Sequence, residues 1–150
     1  MASRNLNDCV PELAEATRKA IAEWDQVYPT LPKPFATCTH RPNDEQAALY
    51  NQPTDGKDNN GNGIIDDKAE FVTNAKAGQS KHNSIPSKAV DIAFVDYGAA
   101  PKSKGKLDWS LHLFAKFAGL MKKHNPNIKW GASKKNGGDF PFNDSPHFEI

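Results

Sequence analysis

One acid interrupts the most strand-like run of this chain. Ala89-Val90-Asp91-Ile92-Ala93-Phe94-Val95 reads as a short buried strand with a carboxylate in it. An ionised carboxylate among apolar neighbours is costly unless it is paired or holds a metal ion, so the fold must bring it a partner. His82 lies nine residues upstream, across Asn83, Ser84, Pro86 and Ser87. Those are turn residues, and a turn there folds the imidazole back over the acid. A neutral imidazole with a carboxylate is half of a zinc site, and a catalytic centre needs one more ligand and an open position. The chain end, Asp144-Ser145-Pro146-His147-Phe148-Glu149-Ile150, offers that ligand in His147.

The remaining chain must be scaffold for that meeting. Its 150 residues suit one domain with a real core, spanning 1–150. Charge is +1 overall but unevenly spread, net −4 over residues 1–100 and net +5 over 101–150. The lysines of the second part read as a solvated face. With no arginine there and little aromatic interleaving, nucleic-acid binding is not supported. No apolar run reaches membrane-spanning length and Met1-Ala2-Ser3-Arg4-Asn5 opens no signal peptide, so cytoplasmic synthesis without membrane insertion is expected. Cys9 and Cys38 lack zinc-type spacing and read as buried thiols without assigned chemistry.

Helical spacing of Val10, Leu13, Ala14, Thr17, Ile21 and Trp24 predicts an amphipathic helix over 8–25, with Asp8 as its cap. Three prolines between Tyr28 and Pro34 make a connector. A strand over 35–39 then delivers His40-Arg41-Pro42, and Pro42 opens a second helix through Tyr50. Arg41 therefore stands at a strand-to-helix junction, where its guanidinium fork can be aimed at a carboxylate. Beyond a polar loop over 96–106, a helix is expected from about Trp109 to Lys123 with Asp108 as cap. His112 and His124 read as surface or capping residues. A strand over 127–132, a Gly/Asn-rich loop over 133–142 and a final strand over 147–150 complete the chain.

Residues 53–70 look inserted. From Asp58 they follow D-x-N-x-N-G-x-I-D, the first nine places of an EF-hand-like calcium loop. Asp58, Asn60, Asn62, the Ile64 backbone and Asp66 are the candidate ligands, with Ile65 at the apolar position. Ala69 stands where the closing acid belongs and Glu70 falls one residue late, so Asp66 or Glu70 must close the shell. The plain alternative is an Asn/Gly turn without an ion.

Zinc with three protein ligands keeps a water and lowers its pKa, and a general base must reach that water. Asp144, three residues before His147, is the candidate, provided that Pro146 bends the chain. Glu149 shares a face with His147 and is placed to orient its ring.

Four motifs come in order: His-Arg-Pro-x-x-x-Gln-x-x-Leu-Tyr from His40 to Tyr50, Ser80-x-His82 with Ala89-x-Asp91, Trp130-Gly131-Ala132, and Asp144-x-x-His147-x-Glu149. Together they resemble the zinc peptidoglycan peptidases of the VanY/D-Ala-D-Ala carboxypeptidase type, most of all single-domain phage L-alanyl-D-glutamate endopeptidase endolysins. The resemblance implies an α+β fold, a small antiparallel sheet with packed helices and zinc in an open cleft. It implies zinc on His82, Asp91 and His147, Asp144 as catalytic base, and Arg41 acting on the scissile carbonyl or a substrate carboxylate. Gln46 and Ser80 would join Arg41 in substrate binding. The implied partner is peptidoglycan, met by a monomer that waits in the host cytoplasm until the membrane is permeabilised. Two departures stand out: a longer His82-to-Asp91 spacing than relatives commonly have, and the 53–70 loop. A D,D-carboxypeptidase or dipeptidase of the same type and a non-catalytic zinc-stabilised binding module remain open.

Overall fold

Alternation along one strand explains both the core and the site. In the computed structural model, which describes residues 1–98 and 105–150, β2 (Ala89–Asp96) is the central strand of a five-stranded antiparallel sheet. β1 (Lys33–Cys38) pairs along one edge of β2, from Lys33 opposite Val95 to Cys38 opposite Asp91. β5 (His147–Glu149) and β3 (Lys106–Asp108) share the other edge end to end, opposite Ala89–Asp91 and Phe94–Asp96 respectively. β4 (Lys129–Trp130) pairs on β5 and closes the sheet. The architecture is α+β.

Successive side chains of a strand face opposite ways. Val90, Ile92 and Phe94 point to one face with Phe148 of β5, and all four are fully buried. There they meet α1 (Pro11–Val27) and α3 (Leu111–His124), whose buried positions recur at helical spacing. Trp24 packs on Phe94 at 5.1 Å between ring centroids, Phe94 on Phe114 at 4.9 Å, and Phe117 on Phe148 at 5.6 Å. The opposite face carries Asp91 between small Ala89 and Ala93, with His147 and Glu149 beside it. Asp91 thus sits on the face that the helices leave free, and the two alanines keep that face low.

The expected elements are present with shifted ends. α1 starts at Pro11 after a 3-10 turn over Leu6–Asp8, and Val10 rather than Asp8 is its N-cap. Asp8 is engaged elsewhere: its carboxylate accepts from the Ser3 hydroxyl and its carbonyl from the Ser87 amide. α3 starts at Leu111, because Asp108 belongs to β3 and accepts from the Ser110 amide at 2.9 Å. The polar loop expected over 96–106 falls largely outside the described residues. α2 (Asn43–Asn51) buries only Gln46. Residues 53–70 hold two 3-10 turns and no strand. Both cysteines are buried and unbridged, and burial pushes the Cys9 thiol up to about 11. His124 pairs with Glu23 at 2.7 Å across the α1–α3 contact. No helix of the described residues is long and apolar enough to cross a membrane.

Candidate active site

Three side chains distant in sequence meet on the free face of the sheet. Asp91 Oδ1 lies 3.1 Å from His82 Nε2 and 3.1 Å from His147 Nδ1. Strand pairing places His147 directly opposite Asp91. His82 arrives on a 3-10 turn over Lys81–Asn83, capped by Ser80, whose hydroxyl accepts from the His82 amide at 3.2 Å. Its ring is buried to 2 % exposure.

Each ring is held from behind. His82 Nδ1 donates to the Thr39 carbonyl at 2.6 Å, and His147 Nε2 donates to Glu149 Oε2 at 3.0 Å. A carbonyl and a carboxylate only accept, so each proton is fixed on the far edge. Both neutral rings then turn a bare nitrogen towards Asp91. Two imidazole nitrogens and one carboxylate converging in this way form a donor set that suits zinc, with outer hydrogen bonds that orient the ligands.

Without a cation, protons take its place. Burial drives the His82 ring towards neutrality, but the Asp91 hydrogen bond outweighs it and raises the pKa to about 10; the same contest puts His147 at about 9. Burial raises Asp91, and its bonds to His147 and His82 more than reverse this, holding it well below the usual carboxylate range. Zinc must displace those protons, so uptake near neutral pH is expected to release about two per ion and to strengthen as pH rises. Calorimetry in two buffers of different ionisation enthalpy measures the number; release of none contradicts this arrangement.

Arg41 fixes the next part. Its Nη1 donates to Gln46 Oε1 at 3.0 Å, its Nη2 to Cys38 Sγ at 3.5 Å, and Nη2 stands 3.8 Å from Asp91 Oδ2. Asn83 Nδ2 donates to the Arg41 carbonyl at 2.9 Å, and the Arg41 amide donates to the His82 carbonyl at 2.8 Å. Gln46, expected to bind substrate, is fully buried and both ends of its amide are occupied. It holds the Arg41 guanidinium in place. Ser80 does line the cleft, with its hydroxyl engaged in capping the turn.

Asp144 is delivered by a turn that Trp130-Gly131-Ala132 moulds. The Asp144 amide donates to the Gly131 carbonyl at 2.8 Å, Trp130 Nε1 to the Ser145 carbonyl at 2.8 Å, and the Gly131 amide to the His147 carbonyl at 2.7 Å. Asp144 is exposed in the cleft, yet protein packed around its carboxyl raises the pKa, with His147 opposing and Asp91 reinforcing the shift. A Cβ at position 131 would collide with the Asp144 carbonyl and stand 2.9 Å from His147 Cβ. Gly131→Ala is therefore expected to cost about 1–3 kcal/mol of stability and to lower activity by spreading this turn. Thermal unfolding and a lysis assay on the variant check both.

These groups line one cleft of about 700 Å³, walled by Phe71–Ala75 on one side and Phe140–Asn143 on the other. That is the size of a small-ligand or peptide site. Two participants carried no sequence signal. Cys38 ends β1 at an irregularity between Ala36 and Cys38, and that shift aims its thiol at the site. Cys38, His82 and Asp91 place one donor atom each within 4.8 Å of one another. The thiol nevertheless stands 3.7 Å from His82 Nδ1, the edge already bonded to Thr39. Asn83, a turn residue by sequence, holds the Arg41 carbonyl through its side-chain amide. In the inserted loop, the Asp66 carboxylate accepts from the Gly56 amide at 2.8 Å, and Asp67 accepts from the side-chain amides of Asn60 and Asn62. Ile65 is exposed, so it fills no apolar pocket.

The fold has a solved counterpart. It matches the crystal structure of the Serratia marcescens L-Ala D-Glu endopeptidase ChiX with a TM-score of 0.59, over 100% of this chain and 88% of that one, at 16% identity. The likeness is one of fold. No protein-family model and no curated protein sequence matches the chain.

Proposed function

We propose that this protein is a zinc-dependent peptidoglycan peptidase that hydrolyses the L-alanyl-D-glutamate bond of the stem peptide, acting as a phage endolysin. The observation that carries the reading is the convergence of two proton-fixed imidazoles on Asp91, beside Asp144, in an open cleft. The fold shared with an L-Ala D-Glu endopeptidase supports it. His82 Nε2, Asp91 and His147 Nδ1 would hold the zinc. When bound, the ion supplies a Lewis acid and lowers the pKa of water in its open position.

The protein's own groups divide the remaining work. Asp144 accepts the proton of the attacking water at its carboxylate and returns it to the departing D-glutamate nitrogen. A carboxyl raised from its ordinary value is better matched to that exchange than an unperturbed one. Arg41, clamped by Gln46 and Cys38, presents a fixed positive charge to the scissile carbonyl or to a stem-peptide carboxylate. Glu149 keeps the His147 ring in its working tautomer; burial raises its own pKa, and the His147 bond more than reverses that. The walls over 71–75 and 140–143 limit solvent access.

Synthesis in the host cytoplasm and access to the wall after membrane permeabilisation complete this reading. Mass spectrometry of digested sacculi tests it: new amino-terminal D-glutamate is expected. Free terminal D-Ala without it would identify a carboxypeptidase instead.

A further inference from the structure

Glu70 has an oxygen that the fold leaves unserved. The residue is 2 % exposed, its Oε1 accepts from the Asn59 amide at 2.9 Å, and its Oε2 has no hydrogen-bond partner. A buried carboxylate oxygen without a donor is costly, and a bound cation is one of the few groups that relieves it. The Asn59 bond seats this carboxylate against the inserted loop. Five acids and two lysines lie between residues 55 and 70, so the segment is negative.

The same loop supplies other oxygens. Asp58 folds the turn, its Oδ1 accepting from the Gly61 amide at 2.8 Å and its Oδ2 from the Gly63 amide at 2.8 Å. Asp67 draws in two amide side chains, taking Asn60 Nδ2 on Oδ1 at 3.3 Å and Asn62 Nδ2 on Oδ2 at 2.5 Å. Asp66, with φ of +56°, faces Gly56 on the other side.

We propose that residues 58–70 form a calcium site closed by Glu70, with Asp67 in the place that the sequence pattern gives to Asp66. The donors are carboxylates and amide oxygens, with no imidazole or thiol, which selects a hard cation. An irregular loop ligand set suits the flexible coordination of calcium better than the strict octahedron of magnesium. The Asn60 and Asn62 side chains offer N–H to Asp67, and their carbonyl oxygens, which accept from the Asn62 and Ile64 amides at 3.0 and 2.8 Å, are the ones the ion would draw on.

The site has a route to the cleft. Glu70 leads directly into the wall over 71–75. Gln46 Nε2 donates to the Ala75 carbonyl at 2.8 Å and reaches Thr73 Oγ1 at 3.5 Å, while Gln46 Oε1 holds Arg41. A cation that fixes Glu70 therefore steadies the wall on which the Arg41 clamp rests. This consequence rests on the cleft described above, whereas calcium binding itself does not depend on peptidase activity.

Titration of calcium chloride into the full-length, zinc-loaded protein by calorimetry is the test. One ion per chain is expected, with a Kd within roughly 10⁻⁶–10⁻³ M. Glu70→Gln is expected to weaken it at least about tenfold, whereas Asp66→Asn leaves it unchanged. If Glu70→Gln does not fold by circular dichroism, Asp67→Asn carries the same expectation. In ¹H–¹⁵N spectra, calcium should shift the Gln46 side-chain amide and the Ala75 amide. The proposal is overturned by any of four results: no saturable binding up to about 10 mM, a magnesium response equal to that of calcium, wild-type affinity in Glu70→Gln, or loss of binding in Asp66→Asn.

Discussion

Asp91→Ala is expected to abolish zinc retention and to reduce peptidoglycan hydrolysis by about 10³-fold or more, on the scale of losing a principal electrostatic element. No other substitution removes as much at once. Among the described residues Asp91 alone hydrogen-bonds to both His82 and His147, and Arg41 also stands 3.8 Å from its Oδ2. Without it, the buried His82 ring loses its carboxylate partner and His147 keeps only Glu149. The metal-free variant should respond by giving up protons, because Asp91 is what lifts both histidines against burial. The sign follows from linkage. A histidine raised in the fold stabilises below its unfolded pKa, and that contribution is lost as pH rises through the folded value. The metal-free wild type should therefore lose stability towards pH 9–10, and Asp91→Ala should weaken that dependence, leaving the part that Glu149 and Cys38 sustain. Metal analysis, a sacculus-clearing assay and thermal unfolding across pH read the three effects.

Asp144→Asn is expected to separate chemistry from structure. Hydrolysis should fall about 10²–10⁴-fold, the usual contribution of a positioned general base. Zinc content should stay at the wild-type level, since Asp144 bonds His147 through its backbone carbonyl, which accepts from the His147 amide at 3.1 Å and which the substitution leaves in place. Stability should hold or rise at neutral pH. Protein packed around the Asp144 carboxyl raises its pKa, so the ionised form is disfavoured in the fold, and a neutral amide escapes that penalty. In the wild type, activity should decline as pH falls through this raised value. A variant that folds, keeps zinc and still clears sacculi would show that Asp144 is not the base.

The site was legible where chemistry contradicted its surroundings. Asp91 in an apolar run demanded a partner, and His82 beyond a turn was the nearest supply. What the run concealed was that only one of its faces is apolar core: Val90, Ile92 and Phe94 face the helices, while Asp91 stands between two alanines on the other side. Cys38 was out of reach of sequence reasoning because an irregularity in β1, rather than its spacing, turns it towards the site. The resemblance assigns Gln46 to substrate binding, while the fold engages its amide between Arg41 and Ala75. Asp66 adopts a left-handed backbone conformation that sequence alone does not announce, and its carboxylate accepts from the Gly56 amide. The cleft wall over 71–75 has no periodicity to betray it; only tertiary hydrogen bonds place it.

The zinc X-ray absorption spectrum of the purified protein bears most directly on the central claim, that two imidazoles and one carboxylate form the metal centre. His82, Asp91 and His147 predict nitrogen and oxygen neighbours at about 2.0–2.2 Å with imidazole scattering and no sulfur. A sulfur shell near 2.3 Å would place Cys38 in the coordination sphere, and protein that takes up no zinc would leave the centre without its ion; either result contradicts the account.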